Sequence, residues 1–388
     1  MRLFEEATKK LGYHPFVIPA ATVSQTYTNP DGETLNACQY CGFCSSNYCE
    51  YGAKADPLMT VIPTALKTGN FGLRTHAKVT RILHDGEKAT GVLYQDIRSG
   101  EYFEQPADLI ALTSYTFNNV RLLLLSEIGK PYDPVIGTGV IGKNFTDHHH
   151  ITLTIGLFDD KKFNLYATTR AYGSVITDFT GLLFDHSNLN FIHGGDIELR
   201  LIGSGGPITV NVTEAEIPQW GREFKKQSIF YFNRHVRLFS QKATMPYKHH
   251  YLDLGPNYTD ENGDPLIRIT WDYSDNDHGI HEFLLEKHAE ILREMRATHI
   301  IPFEMPEHYT GHLAFQHNAG GAIMGSDPET SAVNKYLQMR DKENVFVCGA
   351  SAFPHFGVSN PTLTAGALTY HATEEMFRYL KERHGLLV

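Results

Sequence analysis

Apolar and polar positions alternate in two periods along this chain, and the changes of period mark its elements. Residues 2–11 (RLFEEATKKL) repeat their apolar positions at helical spacing and stop at Gly12 and Pro15. Residues 15–56 show little periodicity, and a second helix is predicted over roughly 58–67, ending at Gly69. RTHAKVTRILHDGEKATGVLYQD then alternates on both sides of Asp85-Gly86, the signature of a β-hairpin. ADLIALT predicts a short buried strand, and YTFNNVRLLLLSEIG a helix closed by Gly129. The stretch 151–310 mixes strands (ITLTIGL, PITVNV, PLIRITWDY) with one long helix, GIHEFLLEKHAEILREMRA. The end of the chain predicts a strand in NVFVCGAS, a loop, and a helix from about Pro361 to Glu382. Elements from both ends fit one lobe, with the middle inserted as another. The fold expected is α+β, with an α/β lobe and a substrate lobe built on an antiparallel sheet.

Composition narrows this only a little. At 388 residues, with 41% hydrophobic and 20% charged positions, the chain can bury a large core in two lobes. A net charge of −10 without a Lys/Arg stripe argues against a nucleic-acid partner. No apolar run approaches a membrane span, and MRLFEEATKKLG is no signal peptide, which leaves the compartment open. Of the 21 histidines, scattered ones are read as surface or satisfied core residues.

Three stretches carry candidate chemistry. GTGVIG at 137–142 fits the G-x-G-x-x-G fingerprint of a dinucleotide loop, but that loop needs a strand before it and a helix after it. Here Pro131 and Pro134 interrupt the approach, and Ile151, Leu153, Ile155 and Leu157 alternate beyond it as a strand. The stretch is therefore read as a glycine-rich turn. CQYCGFCSSNYC places Cys38, Cys41, Cys44 and Cys49 at C-x2-C-x2-C-x4-C spacing, which suits convergent thiolates. An iron–sulfur cluster is expected ahead of zinc, with disulfides as the third reading; Cys348 is read as a buried strand residue.

The third stretch is the last quarter. Asn360 and Pro361 stand where a helix begins, and the small residues after them allow a flat ligand close to its positive end. A reduced flavin carries negative charge near N1 and its C2 carbonyl. His317 precedes Gly320 and Gly321, read as room for a ligand. A neutral His with an Asn suits alcohol oxidation: the imidazole takes the hydroxyl proton, the amide holds the same oxygen, and hydride leaves the carbon. Either residue read alone is a structural one.

HNAGGAIMG, NVFVCGASAFP and SNPTLTAGALTYHATE together resemble the C-terminal signature of the glucose–methanol–choline (GMC) oxidoreductases. The CGFC…C segment with GAKADPLMTVIPTALKTGNFGLR is similar to gluconate 2-dehydrogenase-type flavoprotein subunits and related sugar dehydrogenases. The resemblance covers about 38–150 and 310–385, and GTGVIGKNFTDH is similar to the segment that closes the family's FAD lobe. It implies an FAD-dependent enzyme that oxidises a CH–OH group of a sugar or polyol and passes electrons to an external acceptor such as a cytochrome subunit. It further implies His317 as base with Asn360 beside it, and Val79 against the adenine. Gly349 and Ala350 would lie along the ribityl–phosphate arm, with Pro361 and Thr362 near the pyrimidine end. Gly349 stands where many members carry Asp. Residues 1–56 are expected as a lead-in with the Cys segment, 57–150 and 311–388 as a partial FAD lobe, and 151–310 as the substrate domain. Met1 falls where the family is already past its N-terminal βαβ unit, so a partner chain is expected to supply the true glycine loop. A non-catalytic remnant and a cysteine-metal protein with a vestigial flavin site are the alternative readings.

Overall fold

The computed structural model describes residues 1–41, 48–148, 151–165, 173–181, 183–201, 206–207, 212–310, 317–382 and 385–387. Among these, six helices run over Arg2–Lys10 (α1), Val61–Lys67 (α2), Thr116–Leu125 (α3), Gly221–Tyr231 (α4), Asp275–Glu294 (α5) and Thr362–Glu382 (α6). The chain forms two compact units: Met1–Leu73 with Ile151–Lys242 and Asp275–Met305, and Arg74–His150 with Ala243–Ser274 and Pro306–Val388.

The first unit is organised by a six-stranded antiparallel sheet in the order 16–17, 174–176, 197–200, 235–240, 152–157, 299–302. One face meets α1 and α5 through Phe4, Ile197, Leu199, Val236, Leu238, Ile280, Leu284 and Ile291, all buried. The strand Thr152–Leu157 alternates as expected, but its polar side is not the wet side. Gly156 lies against Leu292 of α5. Thr152 and Thr154 meet His281 (2.9 Å) and His288 (3.0 Å), which stand two turns apart on α5. The apolar side, Ile155 and Leu157, packs on Val212 and Tyr231 of α4. The strand is thus buried on both faces, and the hydroxyls and imidazoles satisfy one another inside. PITVNV, expected as a strand, lies mostly outside the described residues.

In the second unit Ile110–Leu112 pairs in parallel with Val345–Val347; the latter is buried throughout, and Ile110 and Leu112 are buried on either side of an exposed Ala111. The predicted hairpin forms between Ala77–His84 and Ala89–Asp96, with Tyr102–Pro106 as a third antiparallel strand. The hairpin Tyr251–Thr259 with Pro265–Thr270 also belongs to this unit, because Leu252 and Trp271 enter the core around Val120, Leu123 and Phe346. In this division 243–274 falls in the second unit and 57–73 in the first. Cys348 is buried just after the strand at 345–347, and burial pushes its thiol up to about 11.

GTGVIG is a turn. Asp133 bridges Thr138, and the Gly137 N–H donates to the Asp133 carbonyl at 2.9 Å. The glycines are required by close backbone crossings: a Cβ on Gly139 would meet the Pro131 carbonyl at 2.0 Å, and one on Gly142 the Leu252 carbonyl at 1.9 Å. Both sit at positive φ, +88° and +95°. Both approach surfaces are filled by the protein's own chain, and the Gly142 N–H donates to the Gly321 carbonyl at 2.6 Å.

Candidate active site

A two-residue antiparallel pairing builds the centre of the site. Asn318 stands opposite Asp147 and Ala319 opposite Thr146, so the next position in the same register puts His148 across from His317. The two imidazoles meet Nδ1 to Nδ1 at 3.1 Å with their planes at 77°. His148 stacks on Phe356 with ring centroids 4.0 Å apart, and its Nε2 lies 2.5 Å from the Gly357 carbonyl. Phe356 is buried and tied to this strand pair through Thr244, whose N–H donates to the Phe356 carbonyl and whose hydroxyl donates to that of Asp147 at 2.7 Å.

Two groups beside the pair are shifted from their ordinary ranges. Burial pushes the Asp147 carboxyl up to about 9, against the backbone N–H of His148, which favours its protonated form. Tyr115 is raised above its ordinary range, first by burial, while the Asn318 amide that donates to its hydroxyl works the other way. Tyr115 has φ +75° and leads into α3, whose Thr116 hydroxyl donates to the Asn318 carbonyl at 2.6 Å. Buried Asn119, one turn on, reaches the Cys348 carbonyl (3.2 Å) and the Ser351 hydroxyl (3.0 Å). α3 therefore ties the histidine strand to the turn at 349–352.

That turn and the start of α6 are where a flavin was expected. Gly349 has φ +99° and open space where a side chain would stand. Ala350, Ser351 and Ala352 offer their carbonyls to the N–H groups of Gly320, Ala322 and Met324 at 2.8–3.0 Å, so this turn is clamped to the chain after His317. Asn360 is exposed, Pro361 half-buried and Thr362 exposed at the α6 N-terminus, and Leu363 beside them is 87% exposed. No hydrogen bond joins Asn360 to His317 among the described residues; the His148 ring that meets His317 also meets the Gly357 carbonyl, three residues before Asn360 on the same loop. Gly320 and Gly321 correct the expectation that they make room for a ligand. A Cβ on Gly320 would meet the Asn144 carbonyl at 2.1 Å, and one on Gly321 would meet Val120 of α3 at 2.7 Å. Their space is filled by protein.

Val79 lies elsewhere in the unit, 40% exposed, on the wall of a cleft of about 340 Å³ shared with Ser114, Asn118, Arg121 and Asp260. Arg121 and Lys78 bond Asp260 at 3.0 and 3.1 Å. Burial works against its charge, yet these two cations hold the carboxyl well below its ordinary range. The cleft carries fixed charges, Lys78, Arg121, Asp260 and Asp264, in its lining. Val79 at this cleft, Gly349 and Ala350 at the turn, and Pro361 and Thr362 at the start of α6 are the residues that would hold an FAD.

The cysteines fit a metal centre less well. Cys44 lies outside the described residues. Cys38, Cys41 and Cys49 are free thiols in the first unit, and among the described residues no three or more His, Cys, Asp or Glu side chains gather as metal ligands. The expected iron–sulfur or zinc centre therefore gains no support. Cys49 is instead held in a backbone turn. Burial raises its pKa, but N–H groups including that of Ala53 (Sγ at 3.4 Å) bring it below the ordinary thiol value.

His148 is the residue that sequence reasoning passed over. It lies just before the alternating strand at 151–157, and nothing in that periodicity pairs it with a position 169 residues later.

Relatives place these features in context. Two profiles described as GMC oxidoreductase match residues 6–150 and 246–369, together well over half of the chain. The gluconate 2-dehydrogenase flavoprotein of Pantoea cypripedii is 38% identical over all of this chain and 63% of its own length. The 2-methyl-1,2-propanediol dehydrogenase of Mycolicibacterium austroafricanum is 26% identical over 97% of this chain and 66% of its own. This chain thus spans less than two thirds of the length of either relative. Pyridoxine 4-oxidase from Mesorbium loti shares the fold, with a TM-score of 0.56 at 16% identity over 99% of this chain and 70% of the other. With profile matches over more than half of its length, each containing one histidine of the pair, and a relative 38% identical along all of it, the chain belongs to the GMC oxidoreductase family.

Proposed function

We propose that this chain carries the catalytic histidine of an FAD-dependent dehydrogenase that oxidises a CH–OH group of a sugar or polyol and hands its electrons to an external acceptor. The observation that carries this reading is His317, held by a neighbouring imidazole beside a loop that leads to Asn360. Bound FAD supplies a two-electron hydride acceptor. His317 takes the hydroxyl proton at an imidazole nitrogen, Asn360 donates its amide to the same oxygen, and the α6 N-terminus favours negative charge set against it. The raised Asp147 carboxyl favours the protonated form, which keeps a second negative charge away from the oxygen that loses its proton. The two named relatives act, by their names, on a sugar acid and a diol, which supports a polyhydroxylated substrate. GTGVIG is closed against Leu252, so the pyrophosphate needs another strand–glycine-loop–helix unit, from further sequence or a partner chain.

The test is flavin uptake followed by reduction. The protein should acquire the absorption of bound flavin near ~450 nm, and anaerobic gluconate or a related polyol should bleach it. His317→Ala should retain the flavin and slow bleaching by about 10²–10⁴-fold. Equal bleaching rates in the two proteins, or no flavin uptake with the glycine-loop unit present, would reject the assignment.

A further inference from the structure

The face of the six-stranded sheet turned away from α1 and α5 carries a ladder of polar rungs. Side chains alternate along a strand, and Ile197, Leu199, Val236 and Leu238 point into the core shared with α1 and α5. Asp196, Glu198 and Arg200 therefore share the other face with Arg237, Phe239 and Gln241 of the neighbouring strand. The register sets Glu198 opposite Phe239 and Arg200 opposite Arg237. On the rung before them the Gln241 N–H donates to Asp196 Oδ1 at 2.8 Å. Asp196, Glu198 and Gln241 are buried, whereas Arg200, Arg237 and Phe239 are only half-buried, so the ladder opens at its arginine end.

Like charges directly opposite each other on antiparallel strands repel, and packing alone gives no reason to place them there. The row they occupy across the sheet holds no acid. Ile155 stands beside Arg237 with Ile301 beyond it, and the next position in register sets Gly173 beside Arg200. The acid one rung away, Glu198, is engaged at both oxygens: Oε2 takes the Arg200 Nε–H at 2.5 Å and Oε1 the Gln241 amide at 3.3 Å. With the Phe239 ring centroid 3.7 Å from its central carbon, the Arg200 guanidinium is held in one plane. Asp196 lies two rungs off, about 13 Å along the strand. A broken pairing rule on a half-open face marks a place where binding outweighs packing. We propose that the Arg200–Arg237 rung is a carboxylate site, where the acid group of a small polyhydroxylated substrate binds. Each guanidinium offers a fork of N–H donors that matches a carboxylate, five per arginine, enough for protein partners and an anion together. Glu198, Arg200 and Arg237 carry one net positive charge between them, which a carboxylate balances and a phosphate dianion exceeds. Among the substrates proposed above, the rung selects acids over neutral polyols. That the anion is the substrate's rests on that proposal; the anion site rests on the sheet.

Calorimetric binding of gluconate and of glucitol to the full chain isolates the carboxylate, because the two share a row of hydroxyls and differ at one end. Gluconate should bind about 10–100-fold more tightly. Arg237→Gln should cut that preference to less than about 3-fold and leave glucitol binding as it was. Acetate, which offers the carboxylate alone, should displace gluconate and spare glucitol. Equal affinities in the parent, no binding of gluconate, or a preference that survives in Arg237→Gln overturns the proposal. Stronger competition by inorganic phosphate than by acetate would mark a phosphate site and overturn it as well. Should Arg237→Gln not fold, the parent preference and the acetate competition decide. A preference for gluconate that depends on Arg237, with substrate oxidation unimpaired in His317→Ala, would reject the catalytic reading and leave the carboxylate site standing.

Discussion

Acid should loosen the first unit through His288. This residue is fully buried between Thr154 and Ser240, whose hydroxyls meet its two ring nitrogens at 3.0 and 2.8 Å. Burial pulls its pKa from the ordinary ~6.5 down to about 3. Between those values the unfolded chain holds a proton that the folded chain lacks. The stabilising contribution is complete above pH ~6.5 and drains away as the pH falls towards about 3. Moving from pH ~8 to pH ~5 removes about 2 kcal/mol through this one group, and the ceiling at still lower pH is about 5 kcal/mol. His235, buried in the same unit and lowered to about 4, contributes a similar loss of its own. Glutamine at 288 can bond a hydroxyl but cannot be protonated in this range. Urea unfolding at both pH values, read by pulsed hydrogen–deuterium exchange in α5 peptides, isolates the first unit. The parent should lose about 2 kcal/mol more than His288→Gln between the two conditions, whatever the variant costs at pH ~8. Equal losses would refute the argument that the seam between α5 and the sheet excludes water.

Two further tests use single residues. Gly320→Ala places a methyl 2.1 Å from the Asn144 carbonyl at φ +78°, and should cost more than about 2 kcal/mol in thermal or urea unfolding. Gly349→Ala, also at positive φ but facing open space, should cost only about 1 kcal/mol while weakening flavin uptake; equal stability losses would contradict the difference in packing. Iodoacetamide followed by peptide mapping should alkylate Cys49 in the folded protein and reach Cys348 only after denaturation. Early modification of Cys348 would mean that the strand at 345–347 is not buried as described.

Local periodicity revealed most of the elements and little of the site. The helices α1, α3, α5 and α6 follow from apolar spacing and glycine stops, and the hairpin at 77–96 from Asp85-Gly86. The rejection of GTGVIG as a cofactor loop rested on its neighbours, and its glycines do serve chain crossings. The same physics misled at Gly320 and Gly321: a glycine announces a close approach but not what approaches. His148 was hidden because its partner is fixed by strand register across 169 residues, and a two-residue pairing leaves no periodic trace. His281 and His288 could be read as core histidines, while the threonines that satisfy them looked like a solvent face. Asn360 is legible as a helix start, and its distance from His317 along the loop is not.

The chain passes between its two units at 73–74, 150–151, 242–243, 274–275 and 305–306. On a ribosome this sets a timetable. The strand at 16–17 emerges early, but its neighbour at 174–176 and the edge strand at 299–302 are far behind. At typical synthesis speeds of about 5–20 residues per second, the sheet waits roughly 15–60 s from its first strand to its last. Throughout that interval α1 holds out Phe4 and Ala7 with no helix α5 to cover them. The first unit has all its residues only at Met305, while the second still waits for Pro306–Val388. Nascent chains of this protein should therefore depend on holdase chaperones until residues near 305 have left the exit tunnel.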